Sequence, residues 1–221
     1  MLVVTTVRRP ADEWVNPGQT GRSMTDSVRD DGSMPGQAPT FVDEREGLLT
    51  YLEQQRLVLR LTAFGLTDQQ AGMANSVSSL TVGGLIKHVA SVERYWIDLV
   101  LQRQPETPDD YEANFRMEPG ETLQSVLDMY DAVARETAGV VEKIADLGQA
   151  VPVPKGVPWF PDDLDAWSVR WVLLHIITET ARHAGHADIV RESIDGATAF
   201  PLMAAAEGWP ATPWLTPWAP A

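Results

Sequence analysis

The chain has 221 residues, 44% of them hydrophobic, and its 31 acidic and 17 basic side chains give a formal net charge of −14. That length suits one domain with a sizeable core, and an acidic balance without any basic run argues against nucleic acid as a partner, because phosphate binding depends on clustered Lys and Arg. There is no cysteine, which excludes disulfides, thiolate metal sites and a cysteine nucleophile, so any metal must be held by nitrogen and oxygen ligands.

The apolar runs fall well short of the ~20 residues that cross a bilayer, and MLVVTTVRRPADEW lacks a signal-peptide core, so no membrane partner and a cytoplasmic location are expected. Residues 1–40 are rich in Gly, Ser, Asp and Pro without periodicity; they are expected to be a disordered tail, with Met24 and Met34 as alternative translation starts. A first helix is predicted from near Thr40, where Thr40 and Asp43 resemble a capping pair. Leu48, Leu52, Gln55 and Leu59 then repeat at helical spacing, and Gly65 is its expected stop.

After a loop, Ser79 or Thr81 can cap a second helix running to about Gln102, with Leu85, His88, Val92, Tyr95, Trp96 and Leu99 along its seam. His88 therefore takes a core position, and Lys87 beside it is expected at the solvated surface. A loop containing Tyr111, Phe115 and Met117 leads to a third helix after Pro119-Gly120, whose stripe of Leu123, Val126, Leu127, Tyr130, Val133, Val140, Val141 and Ile144 ends near Gly148. The segment VPVPKGVPWFPDDLDAW has too many prolines for a helix or a central strand; it is expected to be a structured loop in which Trp159, Phe160 and Trp167 pack.

Ser168 can cap a fourth helix that stops at Ile194-Asp195-Gly196, with Gly in the position that favours a left-handed backbone. Beyond it, FPLMAAAEGWPATPWLTPWAPA has three tryptophans among prolines and no helical period. The predicted architecture is all-α: an up-down four-helix bundle over residues 41–196, with an irregular extension over 197–221.

The chemistry concentrates on that fourth helix. At ~100° per residue His175, Glu179, His183 and His186 fall at roughly 0°, 40°, 80° and 20°, sharing a face with Val172 and Val190 that should be buried. Titratable groups on a buried face need pairing, hydrogen bonding or a metal. The chain has four histidines, and all of them lie on seam positions of the second and fourth helices, as in bundle metal sites built from facing helices.

His175 and His186 are ~16 Å apart along the axis at ~1.5 Å per residue, too far to share an ion. Glu179 and His183, one turn apart, can share one. With His88 opposite they make a His2Glu set, the type found in catalytic zinc sites that keep a fourth position open. Zinc is favoured, and nickel, Fe(II) or manganese also suit such ligands. His175 is an alternative ligand, or else a satisfied core residue or one that hydrogen-bonds to a ligand.

SLTVGGLIKHVASVERYW together with RWVLLHIITETARHAGHADIVRESIDG resembles the DinB-like metal-binding four-helix family, in its actinobacterial branch related to mycothiol-dependent maleylpyruvate isomerase. The resemblance spans roughly Val42 to Gly196. It implies a divalent metal, usually zinc or nickel, on His88, Glu179 and His183, and the use of a low-molecular-weight thiol such as mycothiol as co-substrate with an electrophilic partner. Many members carry Gln at the position of His186, which implies a residue facing the site or the substrate. The tail after Gly196 is too short for the isomerase's additional domain, so that particular reaction is not expected.

Within this frame His186 and Tyr95, which stands two turns after His88, are the candidate catalytic side chains. Arg182 and Glu93 are candidates for contacting the cofactor, with ordinary ion pairing as the plainer alternative for both and for Arg94. Trp96 and Trp171 are expected in the core. The expected function is a metal-dependent thiol S-transferase or isomerase. The alternatives are a hydrolase using bound hydroxide, with His186 or Glu93 as base, and a non-catalytic metal-stabilised stress-response or binding protein; monomer and homodimer are equally compatible.

Overall fold

A computed structural model describes residues 37–105 and 111–220. The expected tail up to residue 36, including Met24 and Met34, lies outside the described residues. In chain order the chain forms α1 (Glu44–Leu61), α2 (Asp68–Ala71), α3 (Val82–Val100), a short 3-10 turn (Tyr111–Phe115), α4 (Leu123–Lys143), β1 (Ala150–Pro152), β2 (Ala166–Ser168), α5 (Val169–Asp195) and α6 (Ala199–Ala206). The four predicted helices are α1, α3, α4 and α5. They pack in a ring, α1 against α5, α5 against α3, α3 against α4 and α4 back against α1, so the predicted four-helix bundle is the observed fold. No helix among the described residues is long and apolar enough to cross a membrane.

The helix starts follow the capping chemistry closely. Thr81 accepts from Gly84 N, Thr122 from Ser125 N and Ser168 from Trp171 N, each satisfying an amide that the first turn leaves without a helical partner. For α1 the cap is Asp43, which accepts from Glu46 N, so the helix begins a few residues later than Thr40 suggests. Gly196 ends α5 at φ +74, the left-handed geometry expected of it.

Two expectations fail outside the bundle. The proline-rich segment does contain strands: β1 and β2 pair antiparallel, Val151 opposite Trp167, with the prolines confined to the ribbon's end and to the loop it closes. The C-terminal extension also contains a helix, α6, because the run LMAAA supplies strong helix formers between the prolines. It packs on the end of α1, where Leu61, Phe64, Ala197, Leu202 and Met203 form a small core flanked by Trp209 and Trp218.

A buried polar ladder crosses the bundle. The Arg56 guanidinium pairs with Glu93 and Glu53, Thr137 donates to Glu93, and Arg60 pairs with Asp131 while lying over the Tyr130 ring. Burial works against the charge on Arg56, but Glu93 beside it more than compensates and raises its pKa. Glu93 is 0% exposed. Its place is in the core between α1 and α4, and the expectation that it contacts a cofactor is corrected accordingly: both carboxylate oxygens are already taken.

Candidate metal centre

The position of α5 is set at its first turn. Ser168 is both the last residue of β2 and the helix cap, and Val169 N and Arg170 N donate to the Gln149 and Leu147 carbonyls. With the start pinned, Val172, Leu173, Ile176, Thr180, Ala184, Ala187 and Val190 face the core. Taking Ile176 as zero, this stripe spans roughly −40° to 80° on the helical wheel, whereas His183, Glu179, His186 and His175 fall at roughly −20°, −60°, −80° and −100°. His183 therefore lies at the edge of the core stripe, with Glu179, His186 and His175 on the flank beyond it, and all four are half-buried. The fully buried face predicted for them is corrected: the small and β-branched residues beside them fill it instead.

That flank faces α3. His88, 3% exposed, meets His183 edge to face with ring centroids 4.7 Å apart and planes at 74°. His183 Nε2 lies 3.6 Å from Glu179 Oε2, and the His186 ring is 5.5 Å from that of His183. The structure thus brings the three predicted ligands and His186 into one cluster.

Burial, helped by the nearness of His183, pushes the His88 imidazole down to about 4. Burial also lowers His183, outweighing the opposite pull of Glu179. In both rings the shift favours the neutral form, which keeps a lone pair to donate and is the form a metal requires. The Nδ1 atoms of His183 and His186 are buried and accept no hydrogen bond among the described residues, an arrangement that is costly unless another group meets them.

Two ligands held ~2.0–2.1 Å from a tetrahedral ion stand roughly 3.3 Å apart, close to the His183–Glu179 separation. The three side chains are of the donor types a divalent cation takes, and the His183–Glu179 pair has the spacing of two ligands, but among the described residues no three His, Asp or Glu side chains are drawn together closely enough to enclose an ion as they stand.

His175 belongs to a different group. It stacks on Trp171 with planes 5° apart at 5.1 Å and meets Trp96 at 4.6 Å; Trp167 stacks on the far side of Trp171, and Phe160 closes against Trp96. Burial in this aromatic wall lowers its pKa. Trp171, expected in the core, keeps 39% of its surface exposed even with Trp167 and His175 stacked on it.

Tyr95 packs edge-on to Trp96 at 5.9 Å, half-buried, with its phenol pKa raised by that burial. Arg182 is exposed next to His183. Lys87 is corrected from a solvated position to an ion pair with Glu121 at 2.8 Å.

Sequence reasoning passed over Phe115. Its ring lies on His88 with centroids 3.9 Å apart and planes at 20°, and 6.3 Å from His183. The available signal was the Gly83-Gly84 pair one turn before His88, since paired glycines early in a helix mark close approach by another segment.

Comparison with known proteins places these features in context. The family described as Mycothiol-S-transferase matches residues 47–196, the span that contains all three candidate ligands. No curated protein is similar enough to count as a match. Among solved structures, a conserved protein from Enterococcus faecalis is similar in fold, with a TM-score of 0.56 and 16% identity over 71% of this chain and 100% of that one.

Proposed function

The chain belongs to the mycothiol S-transferase family, and from that premise we propose that it joins a small-molecule thiol of the mycothiol type to an electrophilic substrate, using a divalent cation, zinc or nickel, held by His88, Glu179 and His183. The observation that carries the reading is the meeting of His88 on α3 with His183 on α5 at 4.7 Å, with the Glu179 carboxylate 3.6 Å from His183. A cation bound there supplies positive charge that lowers the pKa of a neighbouring thiol and favours the thiolate at neutral pH.

The protein's own groups do the rest. His186, one turn along from His183, receives the thiol proton. The sulfur's electron pair then forms the S–C bond with the electrophilic carbon, and the proton on His186 passes to the displaced group or, in an addition, to the atom that takes up the electron pair. The wall of Trp96, Trp171 and His175, one turn before Glu179, offers an apolar surface that excludes water and seats the acceptor.

Elemental analysis of the purified protein, followed by conjugation of monochlorobimane with mycothiol, tests this reading. The expectation is about one divalent ion per chain and a rate well above that of the thiol alone, lost on chelation. A metal-loaded protein that leaves the uncatalysed rate unchanged would overturn it.

A further inference from the structure

Gly83 and Gly84 sit in the first turn of α3, where glycine weakens a helix. Their surroundings explain the choice. A Cβ on Gly84 would stand 1.9 Å from the Phe115 carbonyl oxygen, and one on Gly83 would stand 2.2 Å from Met117 Sδ. At Gly84 only a hydrogen-sized side chain lets the last residue of the 3-10 turn lie directly on the helix, whereas Gly83 meets the flexible end of Met117.

Gly84 is four residues before His88, so both lie on one face a turn apart. Backbone resting on Gly84 delivers the Phe115 ring onto the His88 imidazole, near-parallel at 3.9 Å. The following residues are anchored as well: Glu121 accepts from Lys87 Nζ at 2.8 Å and from Glu118 N at 2.7 Å, and Leu123 N donates to Asp68 at 2.7 Å. The contact between the two rings is therefore held from both sides, by Gly84 beneath and by the ties to α3 and α2 beyond.

We propose that Phe115 is a positioning residue of the metal centre: its ring, seated by the backbone contact at Gly84, fixes the plane in which His88 faces His183. An imidazole turns about its last side-chain torsion over a broad range, and the flat ring stacked on it narrows that range to the orientation in which it meets the α5 cluster. This inference rests on the reading of His88 as a ligand.

The test compares the native chain with Phe115→Leu, Phe115→Tyr and Gly84→Ala. Cobalt(II) affinity and its visible absorption spectrum are the first readout, and thermal midpoints of the metal-free proteins show that each variant folds. Groups that orient ligands typically change metal affinity about 10–100-fold when removed. Phe115→Leu, which keeps bulk but loses the flat face, is expected to weaken cobalt binding by that factor and alter the spectrum, with Gly84→Ala following it. Phe115→Tyr is expected to stay within about threefold of native on the same scale.

Native-like binding and spectrum in a folded Phe115→Leu protein would overturn the proposal. If the native chain itself takes up no ion, it is the metal reading that falls. The positioning claim is then decided in the metal-free protein by the NMR cross-peak between the His88 and His183 ring protons: its loss in Phe115→Leu and retention in Phe115→Tyr support the claim, and its retention in both overturns it.

Discussion

The Arg56 guanidinium and the Glu93 carboxylate face each other with both side chains closed off from solvent, and Thr137 completes the carboxylate's partners from α4. Removing one member of such a pair leaves the other charged and buried, which typically costs about 3–5 kcal/mol. Glu93→Ala is therefore expected to lower unfolding free energy by that order, with Glu93→Gln milder because it retains an acceptor for Arg56 and Thr137. Urea denaturation of metal-free protein checks this; an unchanged midpoint for Glu93→Ala would remove the ladder from the account of stability.

His183 and His186 should separate by their effects. His183→Ala takes away the donor that stands between His88 and Glu179 and is expected to abolish metal uptake. His186→Ala is expected to leave the metal content intact while lowering turnover about 10²–10⁴-fold, the usual contribution of a general acid or base. Metal content by mass spectrometry and steady-state conjugation rates distinguish the two, and loss of metal in both variants would make His186 a ligand.

Acid should weaken the metal-free fold through His88. Its pKa falls from 6.5 in the unfolded chain to about 4 in the folded one, so between those values the unfolded chain binds more protons. Stability from this group is fully present above 6.5 and is lost as pH falls through the window to about 4. At pH 5 the loss is on the order of 2 kcal/mol relative to neutral pH. His88→Gln should flatten this part of the pH profile of unfolding free energy, and an equally steep profile in that variant would assign the effect elsewhere.

Arg191 fastens three parts of the chain at once. It is 0% exposed, donates to the Thr62 and Phe64 carbonyls at 2.8 and 2.7 Å, pairs with Asp195 and lies under the Trp218 ring at 4.9 Å. Arg191→Met is expected to destabilise by about 3–5 kcal/mol, since it strands a carboxylate and two carbonyls. Trp218→Ala should cost less, about 1–3 kcal/mol, through lost packing and cation–π contact. Thermal unfolding of both variants measures the difference, and a larger loss for Trp218→Ala would reverse their ranking.

The helical periods of Leu48 to Leu59, Leu85 to Leu99 and Leu123 to Val141 were legible because each stripe meets the core along its whole length, and Ser168 and Gly196 marked the bounds of the longest helix through local backbone chemistry alone. The grouping of His88 with Glu179 and His183 was legible for the same reason, since turn spacing on one helix and a seam position on another limit what can meet.

The exact face of α5 was not. A wheel with both Val172 and His175 on it cannot tell which side the neighbouring helices choose, and the choice is made by the pairing of β1 with β2, which sequence periodicity does not reveal. Glu93 shows the same blindness: its partners Arg56 and Thr137 come from helices whose relative rotation is fixed only on packing. Phe115 lay in an aperiodic loop, where only the paired glycines on α3 hinted at what would rest there.

The short ribbon acts as an index mark for the helix that follows it. Because Ser168 closes the ribbon and caps α5 in the same residue, one extra residue inserted between Ser168 and Trp171 would turn everything downstream by about 100° and advance it by about 1.5 Å. His183 would swing off α3 and the apolar stripe would leave the core with it. Between Val153 and Asp165, whose own backbone bond continues the ribbon, the loop does not set that phase, so away from Phe160 the chain can vary in length there and keep its donors aligned.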